Sequence, residues 1–392
     1  MLTTDKSESA RIESLTGLRG LAALWVLAFH AFVIAGMPTE GLVWPLREVL
    51  HSGWLGVDVF FVLSGFLLTR NLLREDARNT AVNWRVFLLA RAARLLPAYY
   101  VQLGFFAALG AFVVSPLVWS PEGTGEVLAH AFLWLNAWPW VGAHVSPWWT
   151  LSVEAMFYLC MPLMWLALRR GLLAALALLA FAMLLSVLWR AGIAQSVENI
   201  EWRIGWAEHA PGRLVQFVAG AVLAVWVPSI RARLSSWPAP MGDMLWIVAA
   251  VLLCSLPWWV GKMPYTGIVD ARALTWFWPS ITAIPVAVLI VLLATGAASG
   301  SARLLASAPL RALGVISFGL YLWHYPIQWA MRSALGGYVP ESFGFGTFLL
   351  VSALFAAAAA TLSWWCVERP ALGAAARLRA RISAPKRSPF DV

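Results

Sequence analysis

Ten apolar runs, each long enough to cross a bilayer, recur along this chain of 392 residues and leave it one environment in which to fold. They lie at about 16–36, 54–72, 94–114, 148–168, 171–190, 211–228, 241–260, 276–296, 314–334 and 345–367. In lipid every backbone polar group has to be satisfied within the spanning structure, so runs of this length predict helices. Composition agrees: 61% of the residues are hydrophobic and only 12% are charged, too few to clothe a water-soluble domain of this size. The expected fold is therefore an all-α polytopic membrane protein of about ten transmembrane helices. The polar start, MLTTDKSESARIES, leads into the first run without a small-residue cleavage site, which reads as an uncleaved first span.

An even number of spans puts both termini on one side. With that side cytosolic, seven of the 28 basic residues fall outside (Arg47, Arg190, Arg203, Arg213, Lys262, Arg272 and Arg332), and the other 21 fall inside or at the inner boundary. The positive-inside rule selects this orientation. The formal charge of +9 is thus a matter of topology and implies no nucleic-acid partner. Residues 1–370 read as a single transmembrane domain and 371–392 as a basic cytosolic tail, expected to be disordered. Cys160, Cys254 and Cys366 are far apart in apolar runs and read as small core residues.

Ionisable side chains inside such spans are costly and mark candidate sites. Arg19 and His30 share the first span, SLTGLRGLAALWVLAFHAFVI; eleven residues bring them to one helix face, about 16 Å apart along the axis. The plainer reading makes Arg19 an interfacial anchor and His30 a core histidine bonded to a neighbouring helix. At 1.5 Å per residue, Asp58 and Glu154 lie about 6 Å and 9 Å below the outer boundary, in the same layer as His30. Mutual contact of these three is the expected arrangement, with Glu154, or failing that Asp58, holding the imidazole tautomer of a histidine base. Ser152 is a candidate donor to Glu154 or to an oxyanion, against a hydroxyl bonded to its own helix. Ser64, beside Gly65, reads either as substrate contact or as a close helix-packing point.

Tyr321 and His324 form a second polar island one turn apart, placed to line a tunnel or to bond across helices. Arg91 and Arg94 enter the third span where juxtamembrane arginines commonly anchor on lipid heads. Trp119, Trp134, Trp138, Trp140, Trp148 and Trp149 crowd one outer loop and the span after it. Interfacial anchoring explains most of the 25 tryptophans, and a platform for sugar rings at Trp148 and Trp149 is the alternative. His130 and His144 have no metal-ligand spacing, so no metal is expected. Glu368 and Arg369 read as a cap and anchor pair at the end of the last span.

Several of these residues stand in motifs that carry a resemblance. The pair Arg19 and His30, GVDVFFVLSGFLLTR, RAARLLPAYY, SVE at 152–154, ISFGLYLWHYPI at 316–327 and the closing ERP at 368–370 arrive in the order seen in the acyltransferase-3 family of membrane O-acyltransferases, which the chain resembles over about 11–370. The resemblance implies a ten-helix bacterial inner-membrane enzyme that moves an acyl group, such as acetyl, from acyl-coenzyme A to a hydroxyl of a carbohydrate. The acceptor would be a surface polysaccharide, its lipid-linked precursor or a small glycoside. Some members carry an added outer hydrolase-like domain, and none is expected here.

Arg19, Arg91 and Arg94 would hold the coenzyme A phosphates, with the donor a co-substrate and no cofactor tightly bound. His30 would act as general base, or as an acyl carrier, on the thioester. Acyl-coenzyme A, the acceptor and membrane lipids are the expected partners. A secondary transporter of an anionic solute, with His and Glu relaying protons, is the reading from another class, though no inverted repeat is evident.

Overall fold

The computed structural model describes residues 6–38, 42–77, 81–110, 128–135, 146–198, 200–259 and 276–383, which contain helices and no strand. In chain order the helices are α1 (Lys6–Ile34), α2 (Trp44–His51), α3 (Gly56–Asp76), α4 (Trp84–Gly110), α5 (Trp149–Leu168), α6 (Leu172–Ser196), α7 (Ile200–Ala207), α8 (Ala210–Leu234), α9 (Ala239–Trp259), α10 (Trp278–Thr295), α11 (Ser299–Leu305), α12 (Ala308–Val315), α13 (Ser317–Ala334), α14 (Phe345–Ser363) and α15 (Arg369–Ser383). Each expected span coincides with one of them. Among the described residues, eight helical segments are long and apolar enough to cross a membrane. The other two expected spans, α4 and α13, carry the polar load of the site: Arg91, Arg94 and Gln102 on the first, Tyr321, His324 and Gln328 on the second.

Local chemistry marks the helix boundaries. Pro45, Pro211, Pro279 and Pro309 sit in the first turns of α2, α8, α10 and α12, where a missing N–H costs nothing. Gly296 ends α10 in the left-handed conformation at φ 85°, open to glycine without a Cβ penalty.

Glycine also sets a close crossing in the bundle, α3 against α8. A Cβ on Gly65 would overlap the Phe217 carbonyl oxygen, and one on Gly220 would overlap that of Val62. The packing reading of Gly65 therefore holds. Without hydrophobic drive between helices in lipid, such close backbone approach is a main source of association. Gly65→Ala is expected to lower thermal stability by about 1–3 kcal/mol through forced displacement of α8. A melting temperature unchanged in detergent would refute that account.

The chain after Pro370 departs from expectation. A π-helical turn, Trp364–Glu368, carries α14 directly into α15, which is helical to Ser383 and packs on α4. Arg379 pairs there with Glu75 of α3. Alternating arginine and alanine favour helix, and α4 offers the surface that an isolated tail lacks. Residues 384–392 lie outside the described residues. Of the cysteines, Cys160 and Cys254 are half-buried and Cys366 is exposed, so only the first two fit the core reading.

Candidate active site

Four helices converge on a narrow cleft of about 40 Å³. Its walls are Arg19 of α1; Val57, Phe60, Phe61 and Ser64 of α3; Thr150, Leu151 and Glu154 of α5; and Ser317, Phe318 and Tyr321 of α13. The α3 residues recur at i, i+3, i+4 and i+7, so a single face of that helix forms one wall. Arg19, Ser64, Glu154 and Tyr321, scattered through the sequence, are brought together here.

Charge gathers at one side of the cleft. Arg19 interacts electrostatically with Arg94, Glu154, Tyr158 and Glu368. Glu154 accepts the Tyr158 hydroxyl proton in a hydrogen bond. Arg94 lies 3.8 Å from Glu368 and over the Phe318 ring at 5.7 Å from its centroid, while Arg91 interacts with Tyr158. Three guanidiniums and two carboxylates thus form one cluster, of which Arg19 and Glu154 line the cleft. Glu368 is buried, so it is a partner of this cluster and no mere end cap.

His30 does not line the cleft, and neither Glu154 nor Asp58 touches it. Its partner is His324. The His30 Nδ1 and His324 Nε2 atoms are 3.1 Å apart, with ring centroids at 5.0 Å. His324 Nδ1 also lies 3.1 Å from the Leu320 carbonyl, and His30 Nδ1 lies 3.0 Å from that of Val26. A carbonyl only accepts, so each Nδ1 carries its ring's proton. His324 Nε2 is then a bare acceptor for His30 Nδ1–H, and the lone pair of His30 is left on Nε2. The tautomer role expected of Glu154 or Asp58 is filled by a second histidine, fixed by the turn of its own helix.

The cleft and the histidine pair meet at Tyr321. Its ring lines the cleft and lies 5.8 Å from the His324 centroid. Tyr321 accepts from Thr150 Oγ1 at 2.9 Å and donates to the Pro147 carbonyl at 3.0 Å. Trp148 is 1% exposed and donates from Nε1 to Gln102 Oε1 at 2.6 Å, while Gln102 Nε2 donates to the Leu322 carbonyl at 2.7 Å. Residues 147–150 are thereby pinned over α13.

Several expectations fail here. Asp58 is buried against Arg213 and Gln216, at 2.5 Å and 2.8 Å, and belongs to another cluster. Its side chain meets α8 and not α1. Trp148 is buried in the core and is no exposed sugar platform, while Trp149 is half-buried, packed on Phe61 with Arg213 over its ring. Trp134 is exposed; Trp119, Trp138, Trp140 and His144 lie outside the described residues. Ser152 Oγ is buried with no hydrogen-bond partner and touches neither Glu154 nor its own helix carbonyls.

Arg213 and Arg190, counted above as outer-surface charges, are buried with Glu208. The sequence signal for that cluster was the recurrence of Arg190, Glu208 and Arg213 beside apolar spans. Tyr158, four residues after Glu154, was equally open to detection.

An all-helical bundle with an interior cleft lined by Arg19 and Glu154, and a hydrogen-bonded histidine pair beside it, defines a polytopic membrane protein with a polar site among its helices. The chain belongs to the acyltransferase-3 family, matching its acyltransferase domain over residues 12–368. It is 27% identical over 346 residues to the peptidoglycan O-acetyltransferase OatA of Listeria monocytogenes, covering 83% of this chain and 51% of that protein. With the O-acetyltransferase OatA of Staphylococcus aureus it shares 25% identity over 390 residues, 92% of this chain and 57% of the relative. With the acyltransferase MdmB of Streptomyces mycarofaciens the figure is 27% over 397 residues, 96% and 95% of the two chains. The chain spans about half the length of the OatA proteins. No solved structure matches it.

Proposed function

We propose that this protein is an integral-membrane O-acyltransferase that moves a short acyl group from acyl-coenzyme A to a hydroxyl of a carbohydrate, in the inner membrane of a bacterium. The observation that carries the reading is the adjacency, across Tyr321, of the arginine-bordered cleft and the His30–His324 pair. Arginine suits the phosphates of the donor, because its planar fork makes paired charge-assisted bonds. The excess of basic residues on the side of Arg70, Arg74, Arg91 and Arg94 puts that end of the cleft toward the cytosol, where the donor is made.

In the proposed reaction the acceptor hydroxyl gives its proton to His30 Nε2 as its oxygen bonds to the thioester carbonyl carbon. The carbon–sulfur bond then breaks with its electron pair going to sulfur, and the imidazolium returns the proton to the thiolate. The products are the ester and free coenzyme A. His324 keeps the lone pair on Nε2, and Glu154 with Glu368 holds Arg19 and Arg94 in place. The names of the OatA relatives support a carbohydrate acceptor, and membership of an acyltransferase family favours transfer over solute transport.

The test is coenzyme A release by purified protein in nanodiscs, given acetyl-coenzyme A and cell-wall or polysaccharide fragments, with mass spectrometry of the acceptor. Thiol release matched by ester on the acceptor is expected; solute flux without ester would overturn the reading. Arg19→Ala should raise the donor KM by about 10- to 100-fold, the equivalent of roughly 1.5–3 kcal/mol for a hydrogen bond to a charged group. An unchanged donor KM would remove Arg19 from phosphate binding.

A further inference from the structure

Arg19 and His30 are joined along α1 by a face that the structure fills completely. Ala23 and Leu27, the residues between them on that face, are each 1% exposed. They pack with Leu320, Ala356 and Ala360, all fully buried. Phe60 packs against this cluster as well as against the two larger apolar cores, and its ring also lines the cleft. It stands edge-on to Tyr321, with centroids 6.0 Å apart and an interplanar angle of 77°. Tyr321 is held by its bonds to Thr150 and Pro147. Phe60, a hydrocarbon ring, has no such tether. On the side of Tyr321 and His324 the cleft is therefore bounded by one ring held by hydrogen bonds and one held by packing alone.

We infer that Phe60 sets the length of acyl group the protein accepts, restricting it to short chains. This rests on the transfer reading above. A thioester brought from the Arg19 side toward His30 carries its acyl tail past the Phe60–Tyr321 constriction. A two-carbon acyl group leaves the ring seated. Each further methylene drives the ring toward Ala23, Leu27 and Leu320, where close packing leaves no room and overpacking is costly. In an apolar pocket one methylene discriminates by about 10- to 200-fold.

The experiment measures kcat/KM for coenzyme A release from acetyl-, propionyl-, butyryl- and hexanoyl-coenzyme A by the parent protein and by Phe60→Ala, Phe60→Leu and Phe60→Trp. The parent is expected to lose rate with each added carbon pair. The butyryl-to-acetyl ratio should rise by about tenfold or more in Phe60→Ala, rise less in Phe60→Leu, and fall in Phe60→Trp. A ratio of two rates within one variant is insensitive to partial misfolding, and Phe60→Leu, nearer in volume, serves if the alanine variant does not fold. Ratios within about twofold of the parent in both variants, or a parent that uses hexanoyl as readily as acetyl donor, would overturn the assignment. A parent that releases thiol from none of the four donors would overturn the transfer reading itself, which separates the two failures.

Discussion

Alanine at position 30 is expected to reduce acyl transfer by about 10²- to 10⁴-fold, the usual contribution of a positioned general base, while donor binding stays near the parent value. A sugar hydroxyl is scarcely ionised at neutral pH, and His30 Nε2 is the lone pair that the hydrogen-bond chain through His324 leaves open. Arg19, proposed to hold the donor, stands about 16 Å away on the same helix, so the substitution separates turnover from affinity. His324→Phe should lower kcat with little change in donor KM, since it frees the His30 ring without touching the arginines. Transfer at parental rate in His30→Ala, with ester found on the acceptor, would remove the imidazole from the chemistry.

The second large effect is on stability. Arg213→Met is expected to cost about 3–5 kcal/mol, because it leaves Asp58 as a buried carboxylate without its cation. Arg213 Nη1 lies 2.5 Å from Asp58 Oδ1, and Arg213 also pairs with Glu208. Glu208 in turn lies 3.2 Å from Arg190. Gln216 extends the cluster from Asp58 to Thr282 Oγ1 at 2.9 Å, so α3, α6, α8 and α10 meet there. All six side chains are buried, at 0–2% exposure. Adding Asp58→Leu to Arg213→Met should recover part of the loss, since removing both partners of a buried pair is far cheaper than removing one. An unfolding temperature for the single variant equal to that of the parent in the same detergent would show that the cluster contributes nothing to stability.

The parts of the site that were legible in the sequence are those set by position along one helix. Arg19 and His30 lie on one face of α1 by arithmetic, and Gly65 announced a close crossing by lacking a side chain. Partner choice was not legible. Counting placed His30, Asp58 and Glu154 in one layer, yet they took three different partners: His324, Arg213 and Tyr158. Depth follows from counting residues at a known rise, whereas azimuth around the bundle depends on which helices are neighbours. The counting of charges along the sequence could not foresee that Arg190 and Arg213 are buried, since hydropathy cannot tell a charge facing water from one neutralised inside.

What the sequence determined by itself is the environment and the element type: apolar runs of bilayer length have one low-energy solution, the helix, because lipid offers no partner to an open backbone. It also determined the family, through motifs that keep their order. The tertiary structure alone decided that a second histidine pairs with the first, that the tail docks as α15 on α4, and that Phe60 and Tyr321 meet edge-on in the wall of the cleft. Each of these is a contact between residues distant in the chain, settled by how the helices pack around one another and so invisible to any local pattern.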